Sequence, residues 1–297
     1  MVILHLLFEA LAAPFTEFAF MQRAMVGCLA LSLSAPLVGV FLLLHRMSLS
    51  GDAMAHAILP GAAVGFLIAG FSVITMTIGG LVAGITVAIL TGVISRQTDT
   101  NEDANMAAFY LISLALGVFI ISNKGSNIDL LHVLFGSVLG LDDQALILLL
   151  IVSCLTMLAF AIFYRALVLD ALDRGFLQQQ SARATVTHLL LLLLIVFNLV
   201  AGFHALGTLM SVGLMVLPAA VARFWAASLD KQLILSVLLA LSSCYLGLVF
   251  SYHFSWATSP VIVMVLGCQF VLALLFGWHK GILTQLLFKS HRGHYAD

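Results

Sequence analysis

Charged side chains punctuate this chain at long intervals, and the stretches between them are apolar. No Asp, Glu, Lys or Arg occurs in 24–45, 53–95, 104–123, 144–164, 184–222 or 232–279. A bilayer core of about 30 Å takes roughly 20 helical residues to cross. Three of the windows are long enough for one crossing and three for two, which predicts nine spans. Leu, Ile, Val, Ala and Phe fill them without a period-two alternation, so the spans read as helices and not as strands of an outer-membrane barrel. The fold class expected is an all-α polytopic membrane protein with eight or nine transmembrane helices in a single domain, 1–297.

Composition sharpens this picture by exclusion. Of the 297 residues, 63% are hydrophobic and 8% charged, against about 25% charged in ordinary soluble domains. A soluble enzyme or a secreted disulfide module is excluded. So is a nucleic-acid binder, because a net charge of −1 offers no basic footprint. The basic residues then orient the spans. Arg46, Arg96, the group Arg165/Arg174/Arg183, the pair Arg223/Lys231 and the terminal Lys280/Lys289/Arg292 fall at alternate span ends, and the positive-inside rule puts them in the cytoplasm. Arg23 and Lys124 are left outside. Residues 1–19, with Glu9, Pro14 and Glu17 among Leu and Phe and no basic n-region, read as an interfacial segment. Residues 281–297 read as a cytoplasmic tail.

Cys28, Cys154, Cys244 and Cys268 sit in apolar windows without CxxC spacing and read as small buried hydrophobes. There is no GxxxxGK[ST] phosphate loop, no HExxH helix and no GxSxG elbow. Any uphill transport must draw its energy from a partner or an ion gradient.

Ionisable residues inside spans are costly and mark pathways or sites. The richest stretch is HRMSLSGDAMAHAILPGAAVGFLIAG, His45–Gly70. Asp52 and His56 are four residues apart, so one helical face carries both. A carboxylate and an imidazole on one face make half a site for zinc, manganese or iron. Gly51 before the pair and Pro60-Gly61 after it predict a discontinuous helix near 47–69, of the kind that lines a cavity with freed backbone groups. The same residues also fit a simpler arrangement, in which Asp52 caps a helix near the inner interface and His56 snorkels. Depth separates the two: counted from Arg46, Asp52 lies at the inner edge unless the break carries the chain inward.

Further histidines lie in the windows. His188 and His204 occupy 184–222, and His253 ends the next span in Ser251-Tyr252-His253. Each reads more simply as a satisfied polar residue than as a ligand. His132, between Asp129 and Asp142, lies in a stretch too short to cross and reads as re-entrant or interfacial. The longest cytoplasmic loop, Leu169–Arg183, is amphipathic and interrupted by Gly175, which fits a solvated connector or a docking helix for a soluble subunit.

HRMSLSGDAMAHAILPGAAVGF resembles the signature of membrane permease subunits of ATP-binding-cassette importers for zinc, manganese and iron, approximately R-M-[SA]-L-x-G-D-A-x-[SA]-H-[AS]-x-L-P-G. Glu102-Asp103-Ala104, the Asp129-Leu130-Leu131-His132 to Phe135-Gly136 segment and the Leu206-Gly207 to Arg223 stretch are similar to further family motifs. Ser251-Tyr252-His253-Phe254 resembles a late S-Y-x-x-D-x-P-[ST]-G region. There this chain departs, reading Ser255-Trp256-Ala257-Thr258-Ser259-Pro260 without the carboxylate or the first proline.

The resemblance covers about residues 15–280. It implies a type II importer permease in the bacterial cytoplasmic (inner) membrane, and not an enzyme. Its partners would be a second permease chain (the same or related), cytoplasmic ATPase subunits, an extracytoplasmic metal-binding protein and membrane lipid, with no nucleic acid. It implies no permanently bound cofactor. The transported metal would be held by Asp52 and His56, and the pathway or gate would involve His204, Tyr252 and His253. Asp170, Leu172, Asp173 and Gly175 would couple to the ATPase.

The ligand types favour zinc, with manganese or iron as alternatives. A stand-alone secondary cation transporter working through the buried histidines is the competing class.

Overall fold

The computed structural model describes residues 14–16, 18–47, 50–70, 72–97, 102–123, 138–172, 183–279 and 281–282. The described chain is helical: α1 (Ala19–Leu44), α2 (Ser50–Ala57), α3 (Leu59–Ala69), α4 (Val73–Gln97), α5 (Glu102–Asn123), α6 (Asp143–Leu172), α7 (Arg183–Leu206), α8 (Thr208–Trp225), α9 (Leu229–Phe254) and α10 (Thr258–Phe276), with one 3-10 turn at Val138–Gly140. Among the described residues eight segments are long and apolar enough to cross a bilayer, α2 and α3 counting together as Gly51–Ala69. The ninth expected crossing, 104–123, corresponds to α5, whose apolar part Ala104–Ile120 is shorter than the others. The expected re-entrant stretch around His132 lies outside the described residues.

Two helices form the centre. In their most apolar windows α1 is 78% buried and α7 72%, against 28% for α4, α6 and α10. The peripheral helices therefore turn Ile78, Val82, Ile151, Ile162, Met264 and similar side chains outward, as helices facing lipid do. Lipid is as apolar as these side chains, so association rests on close packing and on hydrogen bonds between helices. Both are present. The Ser153 hydroxyl donates to the Ala30 carbonyl at 2.6 Å, Asn198 Nδ2 to Thr156 Oγ1 at 2.8 Å, and the Ser259 hydroxyl to the Leu206 carbonyl at 3.0 Å. Cys244 Sγ lies 3.2 Å from Ser32 Oγ in the buried α1–α9 contact. Only Cys28 and Cys244 are buried. Cys154 and Cys268 face outward, contrary to the expectation for all four cysteines, because α6 and α10 are peripheral helices with one face towards lipid.

Contacts between helix ends establish how the helices run. Arg23 at the start of α1 pairs with Asp143 at the start of α6 at 3.3 Å, and His45 at the end of α1 lies 3.5 Å from Asp170 near the end of α6. These two long helices are therefore parallel. The end carrying His45 also gathers Arg223, whose Nη1 donates to the Leu43 carbonyl at 3.5 Å, and Asp230, which accepts a very short hydrogen bond from the Tyr164 hydroxyl. Of the basic residues assigned to one membrane face by charge counting, Arg223 thus lies at the same end of the bundle as His45. The opposite end holds the Arg23–Asp143 pair and the α7–α8 and α9–α10 turns, where Ser251 Oγ and Thr258 Oγ1 are 2.7 Å apart.

Candidate functional site

The site begins where α1 ends. The Met47 amide donates to the Leu42 carbonyl at 3.0 Å and the Arg46 amide to the Leu43 carbonyl at 3.1 Å. This double closure is a Schellman motif, which needs a left-handed residue at its fifth position. Arg46 fills it with φ 61°, an unfavourable role for a residue with a Cβ. Met47, next in line, is 3% exposed and packs as the apolar anchor of the motif.

The next helix, α2, starts against α1 and α8. At Gly51 a Cβ would meet Met215 Cε of α8 at 2.9 Å and Leu42 Cδ1 at 3.7 Å. The start of α2 is thus enclosed by Leu42 in the last turn of α1 and by Met215 of α8.

Asp52 and His56 then share one face of α2, with His56 Nε2 3.8 Å from Asp52 Oδ1. The imidazole side chain is 25% exposed and the carboxylate 64%. Its ring centroid lies 6.1 Å from that of Tyr110 on α5. In the single chain, then, the pair sits on an open flank of the bundle, its imidazole backed by protein and its carboxylate facing away.

Pro60 produces the break between α2 and α3. It stands at the second position of α3, and its missing N–H cannot reach back to the His56 carbonyl. A neighbouring helix meets the disturbed backbone: the Ser113 hydroxyl of α5 donates to the Ala57 carbonyl at 2.9 Å. A Cβ on Gly117 would come within 3.1 Å of the Pro60 nitrogen, so α5 lies directly against the break. Tyr110, Ser113 and Gly117 follow the three- and four-residue spacing of one helix face. On the other side, Gly61 and Gly65 seat α3 on α4. A Cβ at Gly61 would collide with the Gly79 carbonyl, and one at Gly79 with the Gly61 carbonyl. Backbones this close need small residues on both helices.

The other expected site residues separate into two groups. His204, Tyr252 and His253 lie at the end of the bundle that holds the Arg23–Asp143 pair. His204 Nδ1 is 3.0 Å from the Val200 carbonyl, its ring is edge-on to Phe203, and the Tyr252 ring leans against Phe18 at 5.7 Å between centroids. At the opposite end the Asp170 carboxylate is buried within the chain, beside His45. Leu172 closes α6, while Asp173 and Gly175 lie outside the described residues. The burial of Asp170 against His45 and His188 was not anticipated. The one available signal was that all three stand at span ends the basic residues assign to the same face.

Residues 17–277 match the ABC 3 transport family. The chain belongs to that family. It is 32% identical over 257 residues to the manganese import system permease protein ScaB of Streptococcus parasanguinis, covering 86% of this chain and 90% of the relative. It is 29% identical over 279 residues to the chelated iron transport system membrane protein YfeD of Yersinia pestis, covering 94% and 92%. The solved structure of PsaBC from Streptococcus pneumoniae in complex with Fab superposes with a TM-score of 0.80 at 28% identity, covering 94% of this chain and 98% of that one. An inward-facing metal-chelate type ABC transporter shares the fold, with a TM-score of 0.65 at 16% identity.

This member of the ABC 3 transport family is the multi-pass membrane permease subunit of a bacterial ABC importer for divalent metal. ATP hydrolysis and substrate capture fall to its partners, and the stand-alone transporter is set aside. The names of these relatives specify manganese and iron. They back the alternatives to zinc and not the preference for zinc drawn from ligand type.

Proposed function

We propose that the chain is one half of a manganese- or iron-importing permease, with Asp52 and His56 contributing half of a transient intramembrane metal site. One observation carries this reading. A carboxylate and an imidazole 3.8 Å apart stand on a broken helix within a candidate crossing, with the carboxylate on an open flank. A carboxylate facing hydrocarbon is costly, so that flank fits a protein seam better than lipid. A second permease chain, identical or related, meeting it about a twofold axis would double the ligands to two carboxylates and two imidazoles. Mixed oxygen and nitrogen donors suit manganese and ferrous iron, and no thiolate draws the site towards softer ions. The relatives named for manganese and iron support the same choice of substrate.

A bare divalent ion cannot cross hydrocarbon, so ligands must replace its water at depth and then let go. With two ligands per chain the site exists only while the two chains are suitably apposed, and ATP-driven rocking would assemble and dissolve it. On this reading His204, Tyr252 and His253 lie near the outer gate. The connection 173–182, with Asp173 and Gly175, meets the ATPase, while Leu172 and the buried Asp170 anchor it to α6.

The test is uptake of radioactive manganese and iron by the whole importer reconstituted in liposomes. Asp52→Ala is expected to abolish ATP-dependent uptake while the complex still assembles. Uptake at the wild-type rate in that variant removes the pair from the pathway. Preferred uptake of zinc over manganese and iron overturns the substrate assignment.

A further inference from the structure

His45, Asp170 and His188 come together at the end of the bundle opposite the outer turns, and all three are buried. They come from three helices: the C-cap of α1, the last turn of α6 and the second turn of α7. One ligand atom from each can be chosen so that all lie within 4.8 Å of one another. His45 Nε2 and Asp170 Oδ2 are 3.5 Å apart, with side chains 1% and 5% exposed. The His45 and His188 rings stand edge-on, 6.0 Å between centroids. This cluster is at the opposite end of α1 from Arg23 and does not include Asp52 or His56.

We infer that His45, Asp170 and His188 form a second divalent-metal site, filled from the cytoplasm, which ties the two ends of the ATPase-facing connection to the central helix. Bonds of about 2.0–2.2 Å to nitrogen and carboxylate oxygen place tetrahedral ligands roughly 3.3–3.5 Å apart. The His45–Asp170 separation already has that value, and His188 reaches it by side-chain rotation within the 4.8 Å cluster. Two imidazoles and one carboxylate match first-row divalent ions, zinc or ferrous iron most closely, and three protein ligands leave a position open to water and exchange.

The placement gives the ion a mechanical role. Asp170 and His188 bracket the connection 173–182, and His45 anchors both to α1. An ion held there fixes the spacing of the two flanks. ATP-driven movement of that connection must work against this restraint, so the site reports cytosolic metal to the motor. The restraint rests on 173–182 being the ATPase contact, but the binding does not.

The test uses the whole importer complex carrying Asp52→Ala and His56→Ala, so that the transport site is removed. Zn2+ and Co2+ are added, and bound metal is counted after dialysis and followed by Co2+ ligand-field absorption. One metal per permease chain is expected, with a visible Co2+ band from a nitrogen-containing site. Adding His188→Ala or His188→Gln should weaken binding by about a hundredfold or more, beyond what loss of an outer-shell partner produces. No bound metal in the background complex overturns the site, and this arm does not depend on whether the His188 variants fold. Unchanged stoichiometry and spectrum in a folded His188 variant also overturn it.

For the restraint, ATP hydrolysis by the complex with intact Asp52 and His56 should fall as Zn2+ rises on the nucleotide side, and His188→Gln should abolish that response. Metal binding without any such response overturns the restraint and leaves the binding site standing.

Discussion

Among the described residues two histidine–carboxylate groups stand out, and they differ in almost everything except their chemistry. Asp52 and His56 are neighbours on one helix, 3.8 Å apart, with the carboxylate 64% exposed on a flank of the bundle. His45, Asp170 and His188 come from three helices and are sealed inside. A site through which an ion must pass has to be open on one side and incomplete, so that a partner can finish it and then withdraw. A site that holds its place can be closed by its own chain. Exposure thus separates a transit position from a fixed one where residue type does not.

The largest effect expected from this contrast lies in transport. Asp52→Asn should lower metal uptake by the reconstituted importer by about two orders of magnitude, as removal of a group acting directly on a transferred ion does. The thermal stability of the isolated permease should hardly change. Asp170→Asn should invert that pattern, reducing stability by about 1–3 kcal/mol, because the buried contact with the His45 imidazole loses its carboxylate. Unfolding in detergent monitors both, and equal losses from the two variants would erase the distinction.

A comparable loss is expected where α3 meets α4. Gly61→Val puts side-chain atoms where the Gly79 carbonyl lies, and overpacking at such a contact costs about 1–3 kcal/mol. Because α3 follows the break, the substitution should also displace Asp52, so metal uptake should fall more steeply than stability.

Ser113→Ala removes the hydroxyl that serves the Ala57 carbonyl. A loss of about 1 kcal/mol follows, in keeping with hydrogen bonds between membrane helices. Hydrogen exchange at the α2–α3 junction should quicken, while exchange around His45 stays as it was. The smallest effect has the opposite sign. Arg46→Gly relieves a left-handed position with φ 61° and should stabilise the turn by up to about 1 kcal/mol. Lower stability in that variant would mean that the guanidinium contributes more than the strained backbone loses.

The parts of this picture that were legible beforehand are local. Apolar windows between charges located the spans, because a bilayer punishes every unpaired charge and every open backbone group within it. The Asp52–His56 spacing and the Gly51 and Pro60 breakers announced a shared face and a discontinuity, since both follow from one turn of helix. Less could be read where contacts cross the chain. Asp170 was read as part of a surface coupling segment, yet its carboxylate is turned inward to His45. His188 read as a bland satisfied polar residue. Cys154 and Cys268 proved to face outward, because apolar residues on lipid-facing and core-facing sides of a span look alike in sequence.

The sequence alone determined that this protein lives in a membrane, roughly how often it crosses, and which helix carries Asp52 and His56 on one face. All of these depend on the solvent or on residues one turn apart. Only the tertiary structure decided that the start of α2 packs against Met215 of α8, that Ser113 of α5 serves the Ala57 carbonyl beside the Pro60 break, and that His45, Asp170 and His188 meet. Each of these depends on the relative height and rotation of separate helices. Those are set by close glycine contacts and interhelical hydrogen bonds, which hydropathy, being blind to the facing partner, does not encode.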